Sequence, residues 1–379
     1  MHEARGPGRL GEVALIFLRL GVTAFGGPAA HVALMEEELV RRRRWLTHER
    51  FLDLLGAANL IPGPSSSELA VHLGFERAGW PGLVIAGTCF VLPAALMVGA
   101  IAFAYVRFGS LPEIGNALYG IKPVVIAVIL QALWNLGPKA VRSWRLGAIG
   151  AVACAAAALE ASPLLVLLGA GALATLSRGR SPNERGLPLV MVGVLSGGAA
   201  GATVAAPVGV LSLGLVFLKM GAVVFGSGYV LVAFLRADLV ERLHWMTEGQ
   251  LLDAVAVGQV TPGPVFTTAT FVGYLLAGTR GAVVATLAIF LPGFALVAAT
   301  RPLIARVRQS PAASAFLDGV NVASLALMAV VTEQLARGAL VNPPTVTIAL
   351  LSAALLVRFK VNATWLIAGG AAVGLAISR

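Results

Sequence analysis

The sequence predicts an all-α polytopic membrane protein made of two homologous halves of inverted topology, each carrying broken or re-entrant helices. Its composition, an internal repeat and a reversal of loop charge between the repeats carry this reading. Of 379 residues, 58% are hydrophobic and only 12% charged, where soluble domains carry roughly 25% charged residues; the mean hydropathy is +0.87. Charge-free stretches at 78–106, 186–218, 281–300, 338–357 and 361–378 reach or nearly reach the roughly 20 residues that cross a bilayer as a helix. Short segments of alternating polarity, the mark of an outer-membrane barrel, are missing from the sequence, so a helical bundle of the cytoplasmic (inner) membrane is expected. The opening MHEARGPGRLGEV lacks a compact apolar core followed by a small-residue cleavage site, and no removable signal peptide is expected. The net charge of +10 sits in loops between apolar stretches, where basic residues set orientation rather than bind nucleic acid.

The repeat is direct. Residues 17–64 align without a gap on 217–264, with 17 of 48 positions identical, among them Phe25/Phe225, Gly26/Gly226, Trp45/Trp245, Asp53/Asp253 and the two Pro-Gly-Pro triplets. After one residue is dropped the match resumes at an offset of 199, through Gly74/Gly273, Gly82/Gly281, Leu92-Pro93/Leu291-Pro292, Gly120/Gly319 and Lys122/Asn321. The expected organisation is therefore an N-terminal repeat at 11–177, a linker with an extra apolar segment at 178–207, and a C-terminal repeat at 208–379. Each repeat runs from a segment broken at Phe-Gly, through one broken at Pro-Gly-Pro, to two long helices and a final apolar pair.

Loop charge then sets the relative sense of the repeats. After the first segment, Arg41 to Arg44 and Arg50 stand against Arg236 and Arg242, which acidic residues dilute. After the third segment Arg107 stands against Arg301, Arg306 and Arg308, and after the fourth Lys139, Arg142 and Arg145 stand against Arg337. After the fifth, the second repeat alone has basic residues, Arg358 and Lys360. Two copies inserted in opposite senses show this alternation, and inverted repeats are an architecture of transporters. Two span counts fit. Either the first segment crosses and 187–207 does not, or the first segment is re-entrant and 187–207 crosses.

The candidate residues cluster at the breaks. Proline removes a backbone donor and glycine relaxes the chain, so each Pro-Gly-Pro ends one helix and can start another. Half-helices are expected over 51–61 and 65–75, around Pro62, Gly63 and Pro64, and over 251–261 and 265–276, around Pro262, Gly263 and Pro264. Amides at a half-helix N-terminus favour anions, and hydroxyls follow at once in Ser65, Ser66 and Ser67 and in Thr267 and Thr268. Asn59 and Gln259 precede the breaks with further amide donors. An oxyanion offers only acceptors, so a donor-rich site fits it; a plain tight turn between two helices is the competing reading.

Charge adds to this. Arg19 and Lys219 are aligned, each six residues before the Phe-Gly break formed by Phe25, Gly26 and Gly27 or by Phe225, Gly226 and Ser227. A cation inside a bilayer costs about 2.5–3.5 kcal/mol and turns to a partner or a wet cavity, unless it lies near a helix end and snorkels. Lys122 is a third cation, with Asn321 at the matching place, and Asp53 and Asp253 can pair with the cations, carry a coupling proton, cap or face solvent. Glu68 matches Thr268, so any proton role is confined to the first repeat; a carboxylate among oxyanion ligands must be protonated, paired or turned away. The histidines, with Cys89 and Cys154, show no metal-ligand spacing, and no cofactor or metal is expected. No nucleophile–base or paired-carboxylate constellation recurs at the breaks, which argues against an enzyme.

The motifs FGGP and FGSG, NLIPGPSSSE and QVTPGPVFTTATFVGY, in this duplicated layout, resemble the chromate ion transporter (CHR) family in its long, two-domain form. The resemblance covers roughly residues 11–379, and TPGPVFTTATFVGYL is its most specific part. It implies a membrane transporter that exports chromate and confers chromate resistance, with sulfate or another oxyanion as the nearest rival substrate and an anion channel as a rival mechanism. The lipid bilayer is the expected surrounding, a homodimer is left open, and no nucleic-acid partner is implied.

The inversion is directly testable. Cysteines placed at Arg43 and Arg242 of an otherwise functional chain should react with an impermeant maleimide from opposite sides of the membrane. Labelling of both from one side would overturn the opposed orientation.

Overall fold

The structure, a computed structural model, describes residues 7–25, 27–109, 111–177, 208–225, 228, 230–300 and 310–377. Fourteen helices are found among the described residues, and no strand. The apolar linker expected at 178–207 lies outside the described residues. The chain divides into two compact units that do not follow the repeat boundary. One comprises 1–109, 209–222 and 254–301; the other comprises 110–208, 223–253 and 302–379. Each unit thus draws on both repeats.

The first unit begins with α1 (Pro7–Thr23), whose proline occupies the opening turn where its missing donor does no harm. After the break, α2 (Gly27–Glu36) runs into a wider π-helical stretch, Glu37–Arg42. Thr47 caps α3 (His48–Ala58) by accepting from the Arg50 amide at 3.2 Å. Pro62-Gly63-Pro64 follows, and α4 (Ser65–Phe108) starts directly after it.

The chain does not run straight through α4. Ala78 and Gly79 leave helical geometry, with Gly79 at φ 66°. A Cβ added at Gly74 would overlap the carbonyl oxygen of Gly82, and one at Gly82 that of Gly74. Along one straight helix these residues would stand about 12 Å apart. The chain therefore folds back at 78–79, and two helical arms, 65–77 and 80–108, lie against each other. α1 packs on α4 through Val13, Ile16, Phe17 and Leu20, which meet Leu69, Leu73, Ala86 and Phe90. Lipid tails are as apolar as leucine, so close packing has to hold such helices together. Gly21 permits it here: a Cβ there would stand 2.6 Å from the carbonyl oxygen of Phe90.

The second repeat opens with α8 (Val210–Val223), after α5 to α7, which belong to the second unit. In that unit α5 (Pro112–Ala140) is followed by the short pair α6 (Trp144–Ala158) and α7 (Pro163–Ser177). Its second-repeat part holds α9 (Val230–Leu235), the π-helical Arg236–Arg242 and the first residues of α10 (Glu248–Val260). From Ala254 the chain belongs to the first unit again and continues, after the 3₁₀ turn Val265–Thr267, into α11 (Thr268–Thr300). The second unit closes with α12 (Pro311–Ala339), α13 (Pro343–Phe359) and α14 (Ala363–Ile377).

Within the second unit α12 packs on α5, α6 and α7, while α13 and α14 pack on α5. The α5–α14 contact is a small-residue seam in which Gly120 faces Gly370 and Gly374 with no room for a methyl group. Asn342 caps α13 by accepting from the Thr345 amide at 3.1 Å, and Tyr119 donates to the same oxygen at 2.7 Å.

The duplication recurs in the backbone, residue by residue. Ala277 and Gly278 repeat the Ala78–Gly79 reversal, with Gly278 at φ 61°, and Gly273 meets Gly281 as Gly74 meets Gly82. Left-handed Arg44 (φ 51°) is matched by His244 (φ 52°). Among the described residues, four helical runs, Ser65–Phe108, Pro112–Ala140, Val265–Thr300 and Pro311–Ala339, are long and apolar enough to cross a membrane. With the shorter apolar helices beside them, they describe a multi-pass membrane protein.

Replacing Gly74 by leucine forces the arms of α4 apart. We expect a loss of about 1–3 kcal/mol, read as a lower unfolding midpoint in detergent. Gly115→Leu, where nothing stands within 4 Å of an added Cβ, is the control and should leave the midpoint unchanged or higher.

Candidate functional site

The breaks of the first unit meet at one atom. α1 ends at Thr23, leaving the carbonyl oxygen of Ala24 without a helical partner. Ala24 is 1% exposed, and its oxygen accepts two hydrogen bonds: from the amide of Gly263 at 2.9 Å and from Nε2 of His31 at 3.0 Å. Gly263 is the centre of the second Pro-Gly-Pro and lies at φ 91°, a conformation that favours glycine. It also needs to be glycine for space, since an added Cβ would come 2.6 Å from that of Ala94. A carbonyl only accepts, so Nε2 of His31 carries the proton. In the neutral ring Nδ1 is then free to accept from the Ser66 hydroxyl, 3.2 Å away. One backbone oxygen thus ties the first repeat's Phe-Gly break to the second repeat's Pro-Gly-Pro, and through His31 to the start of α4.

The predicted hydroxyl donors divide. Thr267 and Thr268 donate back to the carbonyls of Pro264 and Val265, each at 2.8 Å, and Ser66 is engaged by His31. Ser67 is buried with no hydrogen-bond partner among the described residues, and Ser65 is half-buried. Both triplets are buried, and Gly63 lies at φ 127°. The amides of the first turn of α4 start directly beneath the first triplet, where Ser67 N–H reaches only Pro64 O, at 2.7 Å.

The other candidates fall as follows. Arg19 lies on the exposed face of α1 and Lys219 is half-buried on α8, both in the first unit. Phe25 is 39% exposed whereas Phe225 is 3% exposed, so the paired aromatics are not equivalent. Gly27 lies at φ 77° at the start of α2; Gly26, Gly226 and Ser227 lie outside the described residues. Asn59 is exposed at the end of α3, Gln259 is half-buried and Asp53 is half-buried. Glu68 is 2% exposed.

In the second unit Lys122 and Asp253 form an ion pair at 3.2 Å. Lys122 rises from α5 and lies over Gly249 and Asp253, one turn apart on α10. The pair joins a first-repeat cation to a second-repeat carboxylate. Asn321, the match of Lys122, is exposed. The same unit carries an open pocket of about 350 Å³ whose charged lining is Glu160, Arg236, Asp238, Glu241 and Arg242. Its arginines are already neutralised, Arg236 by Glu241 and by Glu248 at 2.6 Å, and Arg242 by Asp238 at 3.1 Å. Three acids against two arginines make it a poor anion site.

The basic run Arg41 to Arg44 is likewise not a bare anion patch. In the π-helical stretch, residues five apart align, and Glu36, Glu37 and Glu38 pair with Arg41, Arg42 and Arg43 at 3.3, 3.1 and 2.8 Å. The Glu38 carboxylate, joined by Glu12, holds the Arg43 guanidinium above its ordinary range.

Three parts of this arrangement were missed from the sequence: His31, the direct contact of Gly74 with Gly82 and of Gly273 with Gly281, and the Glu–Arg ladder. His31 has Leu231 at the matching position, so the repeat gives no hint of it. The ladder was visible as EEELVRRRR, but only to a reader counting fives rather than fours.

Comparison with known proteins agrees with this duplicated architecture. A family model described as chromate transporter matches residues 11–175 and again 211–375. The chain is 37% identical to the chromate transport protein of Cupriavidus metallidurans over 97% of this chain and 92% of that one. It is 35% identical to the chromate transport protein of Pseudomonas aeruginosa, over 88% and 82%. An uncharacterized transporter of Bacillus subtilis, YwrA, matches 34% of this chain but 72% of its own length, at 31% identity. No solved structure is significantly similar. With the family match on both repeats and relatives of this similarity along nearly the whole length, the chain belongs to the chromate transporter family, whose members are transporters rather than enzymes.

Proposed function

We propose that this protein is a secondary transporter that exports chromate, a tetrahedral dianion, across the cytoplasmic membrane by alternating access between two inverted repeats. The observation that carries the reading is the bond from Gly263 to Ala24, which brings a broken segment of each repeat to one buried place. Helix N-termini with donors in their first turn suit an acceptor-only anion. In this reading the anion is held at the Pro62-Gly63-Pro64 and Pro262-Gly263-Pro264 breaks. Ser65 and Ser67 serve as donors, Ser66, Thr267 and Thr268 join them by releasing their present acceptors, and Arg19 and Lys219 supply the balancing charge. An exposed arginine on an apolar helix is costly against lipid, so that face of α1 borders water or a partner.

The energy source follows from what the sequence holds. It contains no Gly-rich phosphate loop ending in Gly-Lys-Ser/Thr, so an ion gradient or the potential has to drive the cycle. A dianion leaving a negative interior gains roughly 4.6 kcal/mol at 100 mV. The relatives named as chromate transport proteins support chromate as the substrate.

Flux of labelled chromate and sulfate into proteoliposomes containing the purified chain tests this reading. We expect saturable chromate counterflow with little competition from sulfate. Sulfate transported in preference would replace chromate as the substrate, and flux without counterflow would make the protein a channel.

The Lys122–Asp253 pair gives a second expectation. Lys122→Met leaves a buried carboxylate without its cation and should cost about 3–5 kcal/mol, read as a lower unfolding midpoint. Adding Asp253→Asn should recover most of the loss.

A further inference from the structure

Glu68 is the buried acid of the first unit that the transport reading does not use. Both of its carboxyl oxygens are buried without a hydrogen-bond partner among the described residues. Its position is defined by two glycines. A Cβ at Gly63 would overlap Oε1 of Glu68, and a Cβ at Gly293 would come within 3.1 Å of the same oxygen. The carboxyl therefore sits between the first repeat's Pro-Gly-Pro and the Pro292-Gly293 step of α11.

The duplication makes this arrangement informative. Gly293 matches Ala94, and Glu68 matches Thr268. At the equivalent place Gly263 abuts the methyl of Ala94, and the Thr268 hydroxyl turns back to its own helix. Where the acid is present, the facing residue has lost its methyl; where the acid is replaced by threonine, the methyl is kept. Space has been made for a carboxyl in one copy only.

Neighbouring charges do not neutralise it. Among titratable groups on the elements packed against α4, Glu12 of α1 is paired with Arg77, and Arg50 of α3 with Glu76. His31 of α2 is bonded to Ala24 and Ser66, Arg19 of α1 and Arg280 of α11 lie on exposed faces, and Lys219, the charge assigned to the anion, is half-buried on α8. Asp53 of α3 is half-buried, and His72 is fully buried one turn further along α4. A bare carboxylate in such a place is strongly unfavourable, whereas a carboxylic acid is tolerated.

We propose that Glu68 is a proton-binding site whose occupancy is linked to that of the anion, so that one proton travels in the same direction as each oxyanion. This rests on the transport reading above. A dianion at the Pro-Gly-Pro breaks lies beside Glu68, and two like charges there repel, so the loaded site keeps its proton. The species moved then carries one negative charge rather than two.

The test uses the full chain in proteoliposomes with an entrapped pH dye and a potassium–valinomycin clamp. Inward chromate flux through the natural protein should acidify the lumen by about one proton per anion. Glu68→Gln should keep chromate counterflow within about threefold, while lumen acidification falls to that of protein-free vesicles. Natural proton movement in Glu68→Gln, with its counterflow intact, would overturn the proposal; absent chromate counterflow in the natural protein would instead overturn the transport reading beneath it. Should Glu68→Gln not assemble, Gly293→Ala takes its place, since the added methyl crowds the carboxyl. A shifted pH profile of chromate flux there supports the assignment, and an unchanged profile overturns it.

Discussion

The carbonyl oxygen of Ala24 is the atom on which the first unit depends. Breaking α1 at that residue exposes a backbone acceptor in a place where water is scarce, and an unsatisfied acceptor there costs several kcal/mol. Two donors meet it: the amide of Gly263, from the other repeat, and the ring of His31, across the break in the same repeat. The break is thereby stabilised in part by the bond that joins one repeat to the other. Because Gly263 has no side chain, its amide can approach while Ala94 packs from the other direction. The helix interruption, the glycine and the interleaving of the repeats form a single solution to one hydrogen-bonding problem.

Packing follows the same economy of small residues. Gly21 against Phe90, Gly221 against Ile289, and the fold-backs at Gly74/Gly82 and Gly273/Gly281 all bring backbone against backbone. In water such contacts would add little beside the burial of large side chains. Between membrane helices they are a main source of attraction, because lipid satisfies leucine as well as protein does. The repeat conserves these contacts in both copies while the polar residues around them diverge.

This difference explains what could be read in advance. Apolar spans, the duplication and the Pro-Gly-Pro breaks are local or periodic properties, and they appeared in the structure close to the expected positions, with α4 and α11 starting at or just after Ser65 and Val265. The fold-backs at Ala78–Gly79 and Ala277–Gly278 fall just past the expected half-helix ends at 75 and 276, beside the charged Glu76, Arg77 and Arg280, whereas the glycine contacts that close them depend on the fold. Pairings that cross the repeats were hidden for another reason. Lys122 was seen as a cation and Asp253 as an acid, but nothing in their spacing joins them, and Asn321 faces outward instead of repeating the pair. The hydroxyls were found as a group, whereas their division into engaged and available ones depends on where His31 lies.

The contrast between Glu68 facing Gly293 and Thr268 accompanying Ala94 has a consequence for how such a chain can arise. Were the two repeats identical, one sequence would have to supply both the acid and the glycine that accommodates it, in both places at once. Two buried carboxyls would result, together with two missing methyl groups. Fusing the copies into one chain frees each to drift alone, so a single acidic group can be kept while its mirror site is filled with hydrocarbon. The asymmetry is a chemical freedom that a symmetric pair of half-length chains does not have.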